Sequence, residues 1–266
     1  YSETACLGNL GMAHTMLGLY QEAISFHEQS LIIDEELENQ DGIASDWNNL
    51  GSVYQYLGDY PKAEEYLTKA LSLFEKLADH RGEVLALINL GNVKNKQGQF
   101  ELGKQHLQKA IPIVEEIGDL HLAASALNSL GLSFTRLGET KNAVEMYERA
   151  LNIFRIIKNQ REEAKVLNNL GLLQMAMDGQ ERSLDFFQKA LKLSQRFGDP
   201  INQSNALSNM ALYWAAMDND ELALEYHQKH LELTSDLNYL SGKANALGNL
   251  GLLYTSRKDY PTAIQY

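Results

Sequence analysis

The chain has 266 residues, 44% of them hydrophobic, and a formal charge of −12 from 23 Lys and Arg against 35 Asp and Glu. That balance argues against direct nucleic-acid binding, because neutralising phosphates takes clustered Lys and Arg. The single cysteine, Cys6, excludes an internal disulfide. No apolar run is long enough for a membrane span and no targeting segment is visible. The expected setting is cytoplasmic, with no membrane contact and no cofactor. The chain opens on Tyr1 and stops within a repeat at Thr262–Tyr266, so it is expected to be a piece of a longer protein.

In chain order, Asn-Leu-Gly occurs at Asn9-Leu10-Gly11, Asn49-Leu50-Gly51, Asn89-Leu90-Gly91, Asn169-Leu170-Gly171 and Asn249-Leu250-Gly251. Two variants, Ser129-Leu130-Gly131 and Asn209-Met210-Ala211, fill the gaps. The spacing is 40 residues throughout, with no insertion. Fixed self-similarity of this length marks a solenoid. The units run over about 1–40, 41–80, 81–120, 121–160, 161–200 and 201–240, with a truncated seventh at 241–266, all in one array.

Each unit reads as two helices. In the second, helix A is expected over roughly Ile43 to Leu57 and helix B over roughly Pro61 to Leu77. Trp47, Leu50, Gly51 and Tyr54 recur at i, i+3, i+4 and i+7, one helical face. Gly58 suits a left-handed helix stop, and Pro61 suits a first turn, where a missing N–H costs nothing. Ala63, Leu67, Ala70, Leu71 and Phe74 form the second apolar face. Glycine in mid-helix costs up to about 1 kcal/mol relative to alanine. Its return at Gly11, Gly51, Gly91, Gly131, Gly171 and Gly251 therefore predicts close helix contact. The small residues Ala23, Ala63, Gly103, Ala143, Ser183, Ala223 and Ala263 are expected to match them from helix B.

A period of this length would also suit HEAT or armadillo repeats, and the motif decides against them. Trp47-x-x-Leu50-Gly51-x-x-Tyr54 followed by Ala63-x-x-x-Leu67-x-x-Ala70 resembles the tetratricopeptide (TPR) pattern over the whole chain. The unit is longer than the usual TPR by six residues and lacks a recurring closing proline. In this form it resembles the arrays of kinesin light chains and Pins/LGN adaptors. It also resembles bacterial regulatory arrays joined to ATPase, kinase or CHAT-protease domains. The resemblance implies an all-α, right-handed superhelical solenoid of helix-turn-helix TPR units. It implies a non-enzymatic scaffold that binds a peptide segment or domain of a protein partner in a concave groove lined by helix A. The alternative it leaves open is a regulatory or sensor arm for a catalytic domain outside this chain.

By that resemblance the groove is lined at Ser45, Asn48, Asn49, Ser52, Gln55 and Tyr56 and their equivalents. Asn9, Asn49, Asn89, Asn169, Asn209 and Asn249 form a ladder broken at Ser129, with Asn48, Asn128 and Asn168 beside it. Each carboxamide can donate and accept, as a peptide backbone requires, and related arrays clamp ligands with asparagine here. The other reading is that the asparagines bond neighbouring repeats to one another. No acidic residue is expected in the groove, which holds Lys96, Arg136 and Lys165. Polar lining in repeats two to four (Gln55, Asn92, Asn95, Thr135) gives way to Leu172, Met175, Ala176, Leu212, Ala215 and Ala216. A ligand with an acidic segment and an apolar part would match. Packing against a missing domain is the competing account of the apolar stretch.

Four features stand outside the groove. His227 and His230 lie at i and i+3, a spacing that can hold a metal. No third ligand is evident, and His227 sits where helix B carries its packing residue, so no metal site is expected. Cys6 has no local catalytic partner and is expected to be buried. The run Asp34-Glu35-Glu36-Leu37-Glu38 reads as a solvated helix end. Pro112 falls inside a helix B, where it removes a backbone hydrogen bond.

Overall fold

The structure is a computed structural model that describes residues 2–177, 179–237 and 240–266, the side chains at 2 and 241 excepted. Every regular element among the described residues is an α-helix. The chain forms two compact units, Tyr1–Ala150 and Leu151–Tyr266. The first holds α1 (Ser2–Met16), α2 (Tyr20–Glu36), α3 (Gln40–Leu57), α4 (Tyr60–Leu77), α5 (His80–Lys96), α6 (Phe100–Ile117) and α7 (Leu120–Leu137). Helix α8 (Thr140–Ile156) crosses the division. The second holds α9 (Gln160–Ala176), α10 (Gln180–Phe197), α11 (Pro200–Ala216), α12 (Asp220–Asp236), α13 (Leu240–Ser256) and α14 (Tyr260–Gln265).

Odd-numbered helices are the A helices of the repeat and even-numbered ones the B helices. Local chemistry sets their ends. Asp79, Asp119, Asn159, Asp199 and Asn219 each accept a hydrogen bond from the backbone N–H three residues on. That satisfies a donor the first helical turn leaves without an intrahelical partner. Gly58 stops α3 at φ 82° and Pro61 lies in the first turn of α4, as the sequence predicts. Helices α3 and α4 start at Gln40 and Tyr60, earlier than the hydrophobic pattern alone indicates, and in α3 the opening Gln40-Asp41 is polar and contributes nothing to that pattern.

Packing follows the repeat. In unit 1, Leu50, Val53, Tyr54, Ala63 and Leu67 join Ala23 from α2 and Leu90 and Val93 from α5 in one cluster. A Cβ added at Gly51 would lie 2.5 Å from Leu67 Cγ, and one at Gly91 2.6 Å from Leu107 Cγ. Leu67 and Leu107 are fully buried, and burying a leucine stabilises by about 1.5–3 kcal/mol. The mid-helix glycines are thus the floor on which the B-helix side chain lies. In unit 2, Phe187 takes that place over Gly171. Consecutive A helices touch: α1 with α3, α3 with α5 and α5 with α7 in unit 1, α9 with α11 and α11 with α13 in unit 2. Among the described residues no comparable backbone approach joins α2 to α4, α4 to α6 or α10 to α12, and α6 and α8 are bridged by the side chains of Glu115 and Arg149 at 2.8 Å. Within each unit the A helices are therefore the closer-packed layer.

Two expectations fail here. Cys6 is exposed, not buried. The same position is buried in later repeats, at Asp46, Ala86 and Ala126, where Asp46 meets His27 of the repeat before it, and α1 is the first of the described helices. Asp34 is not part of a solvated helix end. It takes the core position that Phe74 holds in the next repeat, is buried, and accepts a hydrogen bond from Asn39 Nδ2 at 2.8 Å. Gly42 leaves room for it, since a Cβ there would collide with the Asp34 carboxylate. Helix α6 continues through Pro112, which is exposed.

Candidate protein-interaction face

Burial on the A helices leaves one open stripe. In α3 the exposed or half-buried positions Asp41, Ser45, Asn49, Ser52 and Tyr56 follow one another at three- and four-residue steps, so they share one side of the helix. The same register in α5 gives Arg81, Leu85, Asn89, Asn92 and Lys96, and in α9 Arg161, Lys165, Asn169, Leu172 and Ala176.

The asparagines of the sequence-predicted site divide into two rows. Asn48, Asn128 and Asn168 are buried. Asn9 is exposed, and Asn49, Asn89, Asn92, Asn169, Asn209 and Asn249 are half-buried along the stripe. The rows are tied across repeats. Asn89 Nδ2 donates to Asn48 Oδ1 at 3.0 Å, Asn209 Nδ2 to Asn168 Oδ1 at 3.4 Å, and Asn249 Nδ2 to Ser208 Oγ at 3.4 Å. Each donating carboxamide keeps an oxygen that can accept a further hydrogen bond. Asn95 does not line the groove. It is buried, accepts from Ser133 Oγ at 2.9 Å and donates to Ser129 O at 3.4 Å, at the break in the ladder. Thr135 is likewise turned inward, donating to Gly131 O at 2.8 Å beside the Tyr147 hydroxyl. Burial pushes that phenol up to about 12.

Lys96 and Arg136 are exposed on the stripe of unit 1. Lys165, in unit 2, lies 3.3 Å from Glu162. The expectation of a groove without acidic residues is therefore corrected by Asp41, at the N-terminal end of the stripe. Arg81 and Arg161 also belong to the stripe and were missed by the sequence reading. Each lies four residues before a predicted lining position, and that spacing was the available signal. Arg81 reaches Asp119 at 3.3 Å, and Arg161 reaches Asp199 at 3.0 Å. The backbone N–H of Leu122, aided by Arg81, holds the Asp119 carboxyl below its usual range, although burial opposes the shift.

In unit 2 the stripe closes into a pocket of about 190 Å3 between α9 and α11. It brings Lys165, Asn168, Asn169 and Asn209 together with Leu172, Asn202, Asn205 and Ser208. The Asn168 carboxamide nitrogen is buried there without a hydrogen-bond partner, an arrangement that costs roughly 1–3 kcal/mol unless a ligand or water accepts from it. Leu172, Leu212 and Leu252 occupy one repeat position on three successive A helices of this unit, and all three are exposed.

His227 and His230 are buried in α12, and His230 Nε2 lies 2.8 Å from Ser204 Oγ. Burial, helped by the neighbouring His230, pushes His227 down to about 4. Among the described residues no three potential metal ligands cluster, and no helix is long and apolar enough to cross a membrane.

Comparison with known proteins agrees with this geometry. The tetratricopeptide repeat family model matches residues 3–76 and 82–156, more than half of the chain. The chain belongs to the tetratricopeptide repeat family, and its fold is an all-α solenoid of helix-turn-helix units. No curated protein sequence matches it significantly. Among solved structures it is similar to a Rap protein complexed with competence and sporulation factor, with TM-score 0.80 and 16% identity over 98% of this chain and 72% of that one. The Rap conjugation gene regulator of plasmid pLS20, in complex with the Phr* peptide, gives TM-score 0.74 and 15% identity over 97% and 70%. A signal-transduction ATPase with a tetratricopeptide repeat sensor from Pyrococcus horikoshii gives TM-score 0.66 and 18% identity over 91% of this chain and 38% of that one. At such identities the likeness concerns the fold.

Proposed function

We propose that this chain is an interaction scaffold, a single array over residues 1–266 within a longer protein, whose A-helix stripes bind a peptide segment of a protein partner. The observation that carries the reading is the Asn168 pocket, where a buried donor without a partner meets accepting carboxamides and an apolar neighbour, Leu172. A peptide offers a carbonyl for the donor, N–H groups for the carboxamide oxygens and side chains for the leucines. The Rap structure bound to the Phr* peptide lends support by analogy of fold. Asn9, Asn49, Asn89, Asn92, Asn169, Asn209 and Asn249 would touch the ligand, with Asn48, Asn128 and Asn168 behind them. Lys96 and Arg136, exposed on a strongly acidic molecule, favour an acidic segment in the ligand. Leu172 and Leu212 favour an apolar part.

The test is a peptide-array screen with the purified chain, repeated with a variant carrying Asn89→Ala, Asn169→Ala and Asn209→Ala. Peptides bound by the parent and lost by a variant of unchanged helicity support the reading. Equal binding by both removes the stripe as the site. Charge reversal at Lys96 and Arg136 that leaves affinity intact would remove the acidic-segment assignment. A second reading, a sensor arm regulating a catalytic domain elsewhere in the longer protein, draws on the likeness to the ATPase sensor, which is itself a minor part of its chain.

A further inference from the structure

The B-helix side of unit 2 holds a second cavity, of about 220 Å3, distinct from the A-helix stripe. Its apolar wall is Leu167 and Leu193, and its rim carries Arg155, Lys189, Lys192 and Arg196 with Glu163 as the one acidic residue. Two of these cations are already neutralised. Arg155 Nε lies 2.8 Å from Glu163, and Lys189 Nζ lies 2.6 Å from Asp185. Among the described residues no carboxylate lies within ion-pair distance of Lys192 or Arg196. Arg196 rests over the Phe197 ring at 5.4 Å, which occupies its guanidinium face and leaves its edge N–H groups for an anion.

The second repeat supplies an internal control. Trp47, Lys69, Ser72, Leu73 and Lys76 line a cavity at positions 120 residues earlier in the same register. There Lys69 pairs with Glu65 at 2.6 Å and Glu64 is held by Lys94 at 2.6 Å, which among the described residues leaves Lys76 as the single unmatched cation of that rim. Repeat five keeps the cavity but replaces Ser72 by Lys192 and has no rim carboxylate beyond Glu163, which is paired. The result is a local surplus of two positive charges on a chain whose formal charge is −12.

We propose that this cavity binds a phosphomonoester. A phosphate ester carries about −1.5 to −2 charges near neutral pH and accepts hydrogen bonds on three oxygens. It matches the surplus at Lys192 and Arg196, whereas a single carboxylate would leave one cation unmatched. Leu167 and Leu193 receive the carbon body of the ester. The proposal does not depend on the A-helix stripe.

The test is calorimetric titration of the whole chain with phenyl phosphate, with benzoate as the apolar monoanion. Phenyl phosphate should bind saturably and at least about tenfold more tightly than benzoate. Lys192→Ser combined with Arg196→Gln should weaken it by about tenfold or more. Lys69→Ser combined with Lys76→Gln, in the control cavity, should change it less than about twofold. All four side chains are exposed, and circular dichroism checks that both variants stay folded. Absence of saturation by about 10 mM, equal binding of benzoate, or unchanged affinity in the Lys192/Arg196 variant would overturn the proposal. A phosphotyrosine peptide and adenosine monophosphate then distinguish a protein source of the group from a nucleotide source.

Discussion

In the second repeat, Ala44, Ala70 and Phe74 pack as an apolar cluster, and Leu67 lies under Gly51. In the sixth, the same four B- and A-helix positions hold Ser204, His230, Thr234 and His227, all buried. The polar set is partly self-satisfied. His230 meets Ser204 at 2.8 Å, and Thr234 Oγ1 donates to the His230 carbonyl at 2.8 Å. The Nδ1 atoms of His227 and His230 have no partner. One backbone template thus accepts either filling, because shape is set by the small residues opposite. The fillings differ in what they do when conditions change. An apolar core responds to lost volume, and an imidazole core responds to protons.

The largest effect expected from this contrast is in the apolar repeat. Leu67→Ala should cost about 2–5 kcal/mol, the range for an aliphatic core truncation that leaves a cavity. Urea unfolding followed by circular dichroism measures it, and a loss under about 1 kcal/mol would mean that neighbouring helices close the gap.

Acid sensitivity sharpens the contrast next. His227 is held at about 4, below the ordinary imidazole value of 6.5, and His230 is lowered too by burial. Between those values the unfolded chain binds more protons than the folded one. The stability contributed by the neutral imidazoles is therefore full above about 6.5 and falls as the pH drops toward about 4. The hydrogen-exchange protection factors of α12, taken relative to the intrinsic rate at each pH, should fall as the pH drops across that window. His227→Leu should flatten the response, whereas Leu67→Ala should leave its pH dependence unchanged. An α12 whose protection is constant from pH 7 to about 4 would contradict this.

The smallest effect separates the two asparagine rows. Asn48→Ala removes the acceptor of the 3.0 Å bond from Asn89 and should cost about 0.5–1.5 kcal/mol. Asn168→Ala removes a weaker 3.4 Å bond and also a buried donor without a partner, so it should cost less. Thermal melts of the two variants compare them directly, and a larger loss at Asn168 would show that its nitrogen is satisfied in solution.

Much of the fold could be read before any coordinates. The 40-residue spacing, the Gly58 stop, the Pro61 start and the facing pair Gly51 and Leu67 are local or strictly periodic, and the structure bears them out. The candidate site was legible in outline only. The resemblance to tetratricopeptide repeats placed the groove at Asn49, Asn89 and Asn169, but the same assignment also admitted Asn95 and Thr135, which turn toward the neighbouring helices. It missed Arg81, Arg161 and Asp41, because the lining was counted one turn too short.

By itself, the amino-acid order determined that helices form, where they stop and which side of each is apolar, because these depend on residues within a turn or two of one another. Tertiary structure decided which partner each polar side chain takes. Asn48 lies 41 residues from Asn89, and Arg81 lies 38 from Asp119. Such pairings depend on how one repeat stacks on the next. The same stacking buried Asp34, exposed Cys6 and left the Asn168 nitrogen in its pocket without a partner. Burial and hydrogen-bond completion are properties of the assembled layers, and no single repeat contains them.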